Sequence, residues 1–188
     1  MAVHPIRITG DDALHSPAAP VVEFDDELRR LVADMFETMD AAPGVGLAAP
    51  QIGVPLRIFT YTWVEDSGEH VRGVAINPTL WITPVPAGIA DEDTEAEGCL
   101  SFPGERFGLR RAERTILQAF DVDGEPYEIR AGGWLARIFQ HEFDHLEGVL
   151  YTDRLDGHDQ KIVAKLTRKR GWGVPGNAWM PGVDNLDA

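Results

Sequence analysis

Gln140-His141-Glu142-Phe143-Asp144-His145, near the end of a run from Gly133 to Glu147 with helical spacing, decides how this chain is read. His141 and His145 stand four residues apart, so on an α-helix both imidazoles leave one face within reach of a single metal ion, with Glu142 beside them. Trp134 and Ile138 precede them on the same face, which directs that face into the protein and not toward solvent. Gly148 is placed to end the helix. The bland alternative is a pair of buried histidines that share this spacing without function.

A catalytic metal usually keeps three protein ligands and leaves one position for water, so the third ligand separates the possible classes. The extension H-E-x-x-H-x-x-G-x-x-H is followed as far as Gly148, but Tyr151 occupies its last histidine position. No glutamate occurs after Glu147. Asp153, Asp156, His158 and Asp159 downstream, or Cys99 upstream, are left as candidates. Asp144 lies about 100° around the helix from His145 and is expected to bond its neighbours and not to coordinate. His4, His15 and His70 have no ligand partner at a recognisable spacing, and surface or capping roles are expected for them and for His158.

The rest of the chain sets bounds on that chemistry. Its 188 residues, 44% hydrophobic and 26% charged, can bury one core without disulfides. A net charge of −14 argues against DNA or other nucleic acid as the main partner. A single cysteine cannot form an internal disulfide, and the first residues lack the basic flank and apolar run of a signal peptide. No stretch reaches the roughly 20 apolar residues that span a membrane. A cytoplasmic protein without a membrane partner is expected.

Leu28, Leu31, Val32, Met35, Phe36 and Met39 recur at steps of three and four, which predicts a helix over 26–39 capped by Asp25 or Asp26. Leu56 to Trp63 has strand composition, and Glu65-Asp66-Ser67-Gly68 is expected to turn the chain back. Val71 to Pro84 gives one or two strands, Asp91 to Glu95 an acidic loop, and Arg114 to Val122 a further strand. Asp123-Gly124 signals a hairpin into Tyr127-Glu-Ile-Arg130. Strands in the middle and helices on the flanks predict an α+β fold: one domain over 1–188, with antiparallel or mixed sheets packed around a central H-E-x-x-H helix. A C-terminal helix over 161–170, the one basic run, should turn Ile162, Leu166 and Val163 inward. Residues 171–188, rich in Gly, Pro and Asn, are expected to form an irregular surface arm.

Three separated stretches, Gly44-Val-Gly-Leu-Ala-Ala-Pro-Gln51, Glu97-Gly-Cys-Leu-Ser101 and Gln140-His-Glu-Phe-Asp-His145, resemble the motifs of the peptide deformylase family in type and order. The resemblance runs from Asp34-Met-Phe-Glu-Thr-Met39 to about Asp153. It implies a hydrolase that removes the formyl group from the first methionine of newly made polypeptides and releases formate. Cys99, His141 and His145 would hold one divalent ion, Fe(II) favoured, with Zn, Ni or Co possible. Metal-bound hydroxide would attack the formyl carbon with Glu142 as general base and then acid, while Gln51 and the Leu100 N–H stabilise the oxyanion.

By the same resemblance, Glu97 would pair with Arg111 and steady the loop that bears Cys99. Gly44, Val45 and Gly46 are expected to pair with substrate as an added strand, since two glycines permit close backbone approach. Val45, Leu100, Trp134 and Ile138 are expected to wall an apolar methionine pocket, with His141 in its base. Arg137 should lay its stem there and send its guanidinium to water or a carboxylate. The basic helix admits transient ribosome docking or a plain solvated face. Alternatives to the whole reading are another H-E-x-x-H protease or amidase, and a non-catalytic metal- or nascent-chain-binding module.

Overall fold

Alternating side chains at the centre of the molecule explain its layering. In the computed structural model, which describes residues 2–65 and 67–184, a helix α1 (Asp26–Ala41) and a helix α2 (Gly133–Leu146) cover opposite faces of one antiparallel sheet. The chain adds β1 (Ile6–Arg7), β2 (Gly46–Ala48), β3 (Ile58–Val64), β4 (His70–Ile82), β5 (Ala96–Cys99), β6 (Phe102–Gly108), β7 (Arg114–Phe120), β8 (Pro126–Gly132), α3 (Gly157–Lys169) and β9 (Ala178–Trp179). The main sheet runs β2-β3-β4-β7-β8, and β5-β6 and β1-β9 form two small antiparallel pairs. This is the expected α+β architecture.

On β3, Ile58 packs in the apolar cluster with α1 and Thr60 donates to the Met39 sulfur, while Phe59 and Tyr61 join the cluster with α2. A strand buried on both faces reads as a nearly continuous apolar run, and the Thr60 hydroxyl within it is hydrogen-bonded. Tyr61 meets Phe139 of α2 edge-to-face at 5.0 Å, a pairing worth about 0.5–1.5 kcal/mol beyond area burial. Toward β7 only one face is covered, so Leu117 and Ala119 are buried while the intervening Gln118 is exposed. Helix α1 starts where the Asp25 carboxylate accepts from the N–H groups of Glu27 and Leu28, and Leu28, Val32, Met35 and Met39 face the core. Helix α2 stops at Gly148, at φ +72°, where a Cβ would fall 2.7 Å from the Ser16 backbone.

Several expectations needed correction or narrowing. The segment after Val71 is one strand, bulged between Ile76 and Thr79 at Asn77-Pro78, where proline cannot donate to the ladder. The turn after β3 closes through the Gly68 N–H to the Glu65 carbonyl, while Asp66 of the expected turn lies outside the described residues. Ile162 does not face inward: it is 38% exposed, and Val163 and Leu166 alone pack from α3 against the cluster around Tyr151 and Leu155. The C-terminal arm is only partly irregular. Its β9 pairs Trp179 with Ile6 of β1, and Trp179 is 5% exposed inside the α1 core, because one large ring offsets the ordering of a Gly-rich segment. Residues 185–188 of the expected arm lie outside the described residues.

Candidate active site and metal centre

Helix α2 carries His141 and Glu142 in the lining of a cleft of about 660 Å³, and His145 one turn on, behind that lining. The hairpin β5-β6 brings Cys99 over them, at the bulge where its register shifts between Gly98 and Cys99. One donor atom from each of Cys99, His141 and His145 lies within 4.8 Å of the others, and all three residues are buried. Cys99 Sγ is 3.3 Å from His145 Nε2. The downstream candidates Asp153, Asp156, His158 and Asp159 are not part of this cluster among the described residues: the Asp153 carboxylate accepts from the Leu150 N–H, and Asp156 caps α3.

Glu97 organises the site from behind. Its carboxylate accepts from Arg111 Nη2 at 2.6 Å and Nε at 3.1 Å, from Arg137 Nη1 at 3.0 Å, and from His141 Nδ1 at 2.6 Å. A proton donated from Nδ1 leaves the lone pair of Nε2 for the cleft, so this bond selects the tautomer a metal ligand needs. Burial works against the Glu97 anion, yet His141 and Arg111 hold its carboxyl well below the usual range. His141 loses hydration by burial, but Cys99 and Glu97 push it well above an ordinary histidine, so the place between thiol and carboxylate favours positive charge. His145, buried and facing His141, is pushed well below the ordinary value. A thiol and two imidazoles, one oriented by a carboxylate, suit a borderline or soft divalent cation.

Glu142 is 4% exposed, and its Oε2 has no hydrogen-bond partner among the described residues. Burial pushes its carboxyl up to about 7; His141 opposes this, while Glu97 and Asp144 add to it. The carboxylate lies flat against β2: a Cβ at Gly46 would stand 2.2 Å from Glu142 Oε1. At Gly44 an added Cβ would meet Leu100 Cδ1 at 2.8 Å. The glycines therefore make room for Glu142 and Leu100, a packing requirement in addition to the expected approach of a substrate backbone. Val45 gives its carbonyl to the Thr62 N–H, and by the alternation of an antiparallel ladder Gly46 turns its own N–H and C=O to the free edge of the sheet.

Gln51 sits at the end of this motif, 1% exposed, with its Oε1 accepting from the Ala48 N–H and its Nε2 donating to Ser101 Oγ at 3.2 Å and toward Cys99 Sγ at 3.7 Å. The Leu100 N–H has no intramolecular acceptor among the described residues. Val45, Leu100, Trp134 and Ile138 all line the cleft, with Trp134 38% exposed at the rim and stacked on Trp63 at 5.9 Å. Arg137 runs its guanidinium past Trp134 to Glu97 and the Leu109 carbonyl, so it reached a carboxylate as expected. His145 and Arg111 lie behind the lining.

Three participants carry no role in the sequence analysis, and for a fourth, Asp144, bonding to neighbours is expected there without naming them. Trp63 and Trp179 line the cleft, Ser101 donates its N–H to Cys99 Sγ at 3.3 Å, and Asp144 accepts from Arg111 at 2.6 Å and from Arg154. All but Ser101 act across long sequence separations, and Ser101 was visible as the residue two beyond the cysteine.

The polypeptide deformylase family model matches residues 3–161. A peptide deformylase of Mycolicibacterium paratuberculosis is 49% identical over 97% of this chain and 96% of its own length, and one of Rhodococcus opacus is 47% identical over 97% and 95%. Among solved structures, a peptide deformylase from Ehrlichia chaffeensis superposes with TM-score 0.77 at 34% identity, covering 90% of this chain and 97% of that one. One from Legionella pneumophila gives 0.75 at 38%, covering 90% and 98%. With this sheet, this helix and this cluster of donors, the chain belongs to the peptide deformylase family.

Proposed function

We propose that the chain, acting as one catalytic domain over 1–188, hydrolyses the N-formyl group of nascent formylmethionyl peptides. The observation that carries this reading is the buried convergence of Cys99, His141 and His145 within 4.8 Å, with the unpartnered Glu142 carboxylate beside them. The three donors would hold a divalent cation, Fe(II) favoured, which when bound supplies Lewis-acid activation of water.

The residues of the chain do the remaining work. Glu142 takes a proton from water and delivers one to the departing amine nitrogen, a task suited to a carboxyl raised to about 7. The Leu100 N–H and the Gln51 Nε2 donate toward the oxygen that gains charge when the formyl carbon becomes tetrahedral. The free edge of β2 at Gly46 adds the substrate backbone as a strand, which reads main chain and tolerates many second residues. Val45, Leu100, Trp134 and Ile138 surround the methionine side chain. Formate and a free α-amine leave.

No helix of the described residues is long and apolar enough to cross a membrane, and the lone cysteine supports a reducing, cytoplasmic setting. The exposed basic face of α3 supports a solvated surface as much as transient ribosome contact. The deciding experiment is formate release from a formyl-Met peptide against its acetylated counterpart, on protein purified without air. Formate from the first and no acetate from the second is expected; no formate would end the proposal.

A further inference from the structure

Trp179 donates its indole N–H to the Leu100 carbonyl at 2.9 Å. That carbonyl belongs to the same planar amide as the Ser101 N–H, which donates to Cys99 Sγ at 3.3 Å. Indole, amide and sulfur thus form one hydrogen-bonded line, and each bond in such a line polarises the next. The following carbonyl, of Ser101, accepts from the Thr9 N–H at 2.9 Å. Thr9 follows β1, whose partner strand β9 carries Trp179. The two ends of the chain therefore clasp two consecutive carbonyls of the loop that bears Cys99.

We propose that Trp179 is a positioning residue of the active site: it fixes the Leu100–Ser101 amide plane and through it the hydrogen bond that the Cys99 sulfur receives. Nearly complete burial gives the ring one orientation, and the backbone pairing of β1 with β9, which a side-chain change at Ile6 leaves in place, sets its depth. The Leu100 N–H lies in the preceding amide plane, joined to this one at the Leu100 Cα. This inference rests on the proposed roles of Cys99 and Leu100.

The test compares the full chain with Trp179→Phe, which keeps a ring but removes the donor, and with Ile6→Val, which loosens the same packing and leaves the donor. In Trp179→Phe the Ser101 amide should exchange with solvent about tenfold faster, as expected for loss of one supporting hydrogen bond. After loading with Co(II), its thiolate-to-cobalt absorption should move to longer wavelength, because the sulfur electrons are less stabilised. Turnover of a formyl-Met peptide should fall about tenfold with KM within about twofold. Ile6→Val should lower the melting temperature and leave exchange, band position and kcat as in the parent.

Parent-like exchange and absorption in Trp179→Phe would overturn the inference, as would Ile6→Val reproducing both changes. If the parent released no formate, or showed no thiolate-to-cobalt band, the proposed function would fail on its own, and Ser101 exchange would still decide whether Trp179 holds the loop.

Discussion

Helix α2 and the terminal clasp of β1 with β9 meet the same cleft, yet they were built by different rules. On α2 the residues that matter are spaced by the helix itself: Ile138, His141 and His145 share a face, and Glu142 follows beside them. In the clasp, Ile6 and Trp179 come from opposite ends of the chain, and nothing local announces their meeting. On the proposed roles, the site takes its reacting groups from a periodic element and its orientation from contacts with no period. The two regions should then respond differently to substitution, with α2 changes striking turnover directly and loss of the Trp179 donor striking it less, through the geometry of one loop.

The largest effect is expected at Glu142. Glu142→Ala should lower formyl-Met peptide turnover by about 10²–10⁴-fold, the usual contribution of a general base. Metal content, measured by atomic absorption, should stay at that of the parent, since Glu142 is not among the clustered donors. Full turnover with metal retained would show that the proton is handled elsewhere.

That division also explains how much was legible beforehand. His141, Glu142, His145 and the apolar face of α1 were visible because 3.6-residue spacing is a local property. Cys99 could be named only as one of several candidates until the three motifs were taken together, because which residue meets a helix from outside is a long-range fact. For Gly44 and Gly46 the sequence suggested close approach of a substrate backbone; that their missing Cβ atoms also make room for Leu100 and Glu142 is a long-range fact. Glu97 was paired with Arg111 by resemblance, but its further bonds to Arg137 and His141 depend on how β5 is laid across α2. Trp179 sat in a Gly- and Pro-rich stretch whose composition says only that it is not a helix, and its packing with Ile6 left no mark there.

The network behind the three clustered donors should show an intermediate effect. Arg111 is 8% exposed and bonds both Glu97 and Asp144, so Arg111→Met leaves two buried carboxylates without their shared cation. Removing one partner of a buried pair costs about 3–5 kcal/mol, which urea denaturation would measure. Metal affinity should weaken along with stability, because the same carboxylate orients His141. An unchanged denaturation midpoint would mean that Arg137 and Arg154 alone satisfy the two acids.

The smallest effect is expected outside both regions, at the start of α3, and it serves as their control. The Asp156 carboxylate accepts from the N–H groups of Asp159 and His158, which lowers its pKa from the ordinary value. A carboxyl whose pKa is lower folded than unfolded stabilises the fold above its unfolded value, about 3.9, and that contribution fades as pH falls through the folded value. Asp156→Asn keeps a capping oxygen but cannot titrate. Its melting temperature near neutrality should match the parent, and its decline between about pH 5 and pH 3 should be shallower by the share that Asp156 supplies. Turnover at neutral pH should not change, because α3 meets the cluster around Tyr151 and Leu155 and contributes no side chain to the cleft lining. A turnover loss in Asp156→Asn would mean that α3 reaches the Cys99 loop through that cluster, and the contrast between α2 and the clasp would have to admit a third contributor.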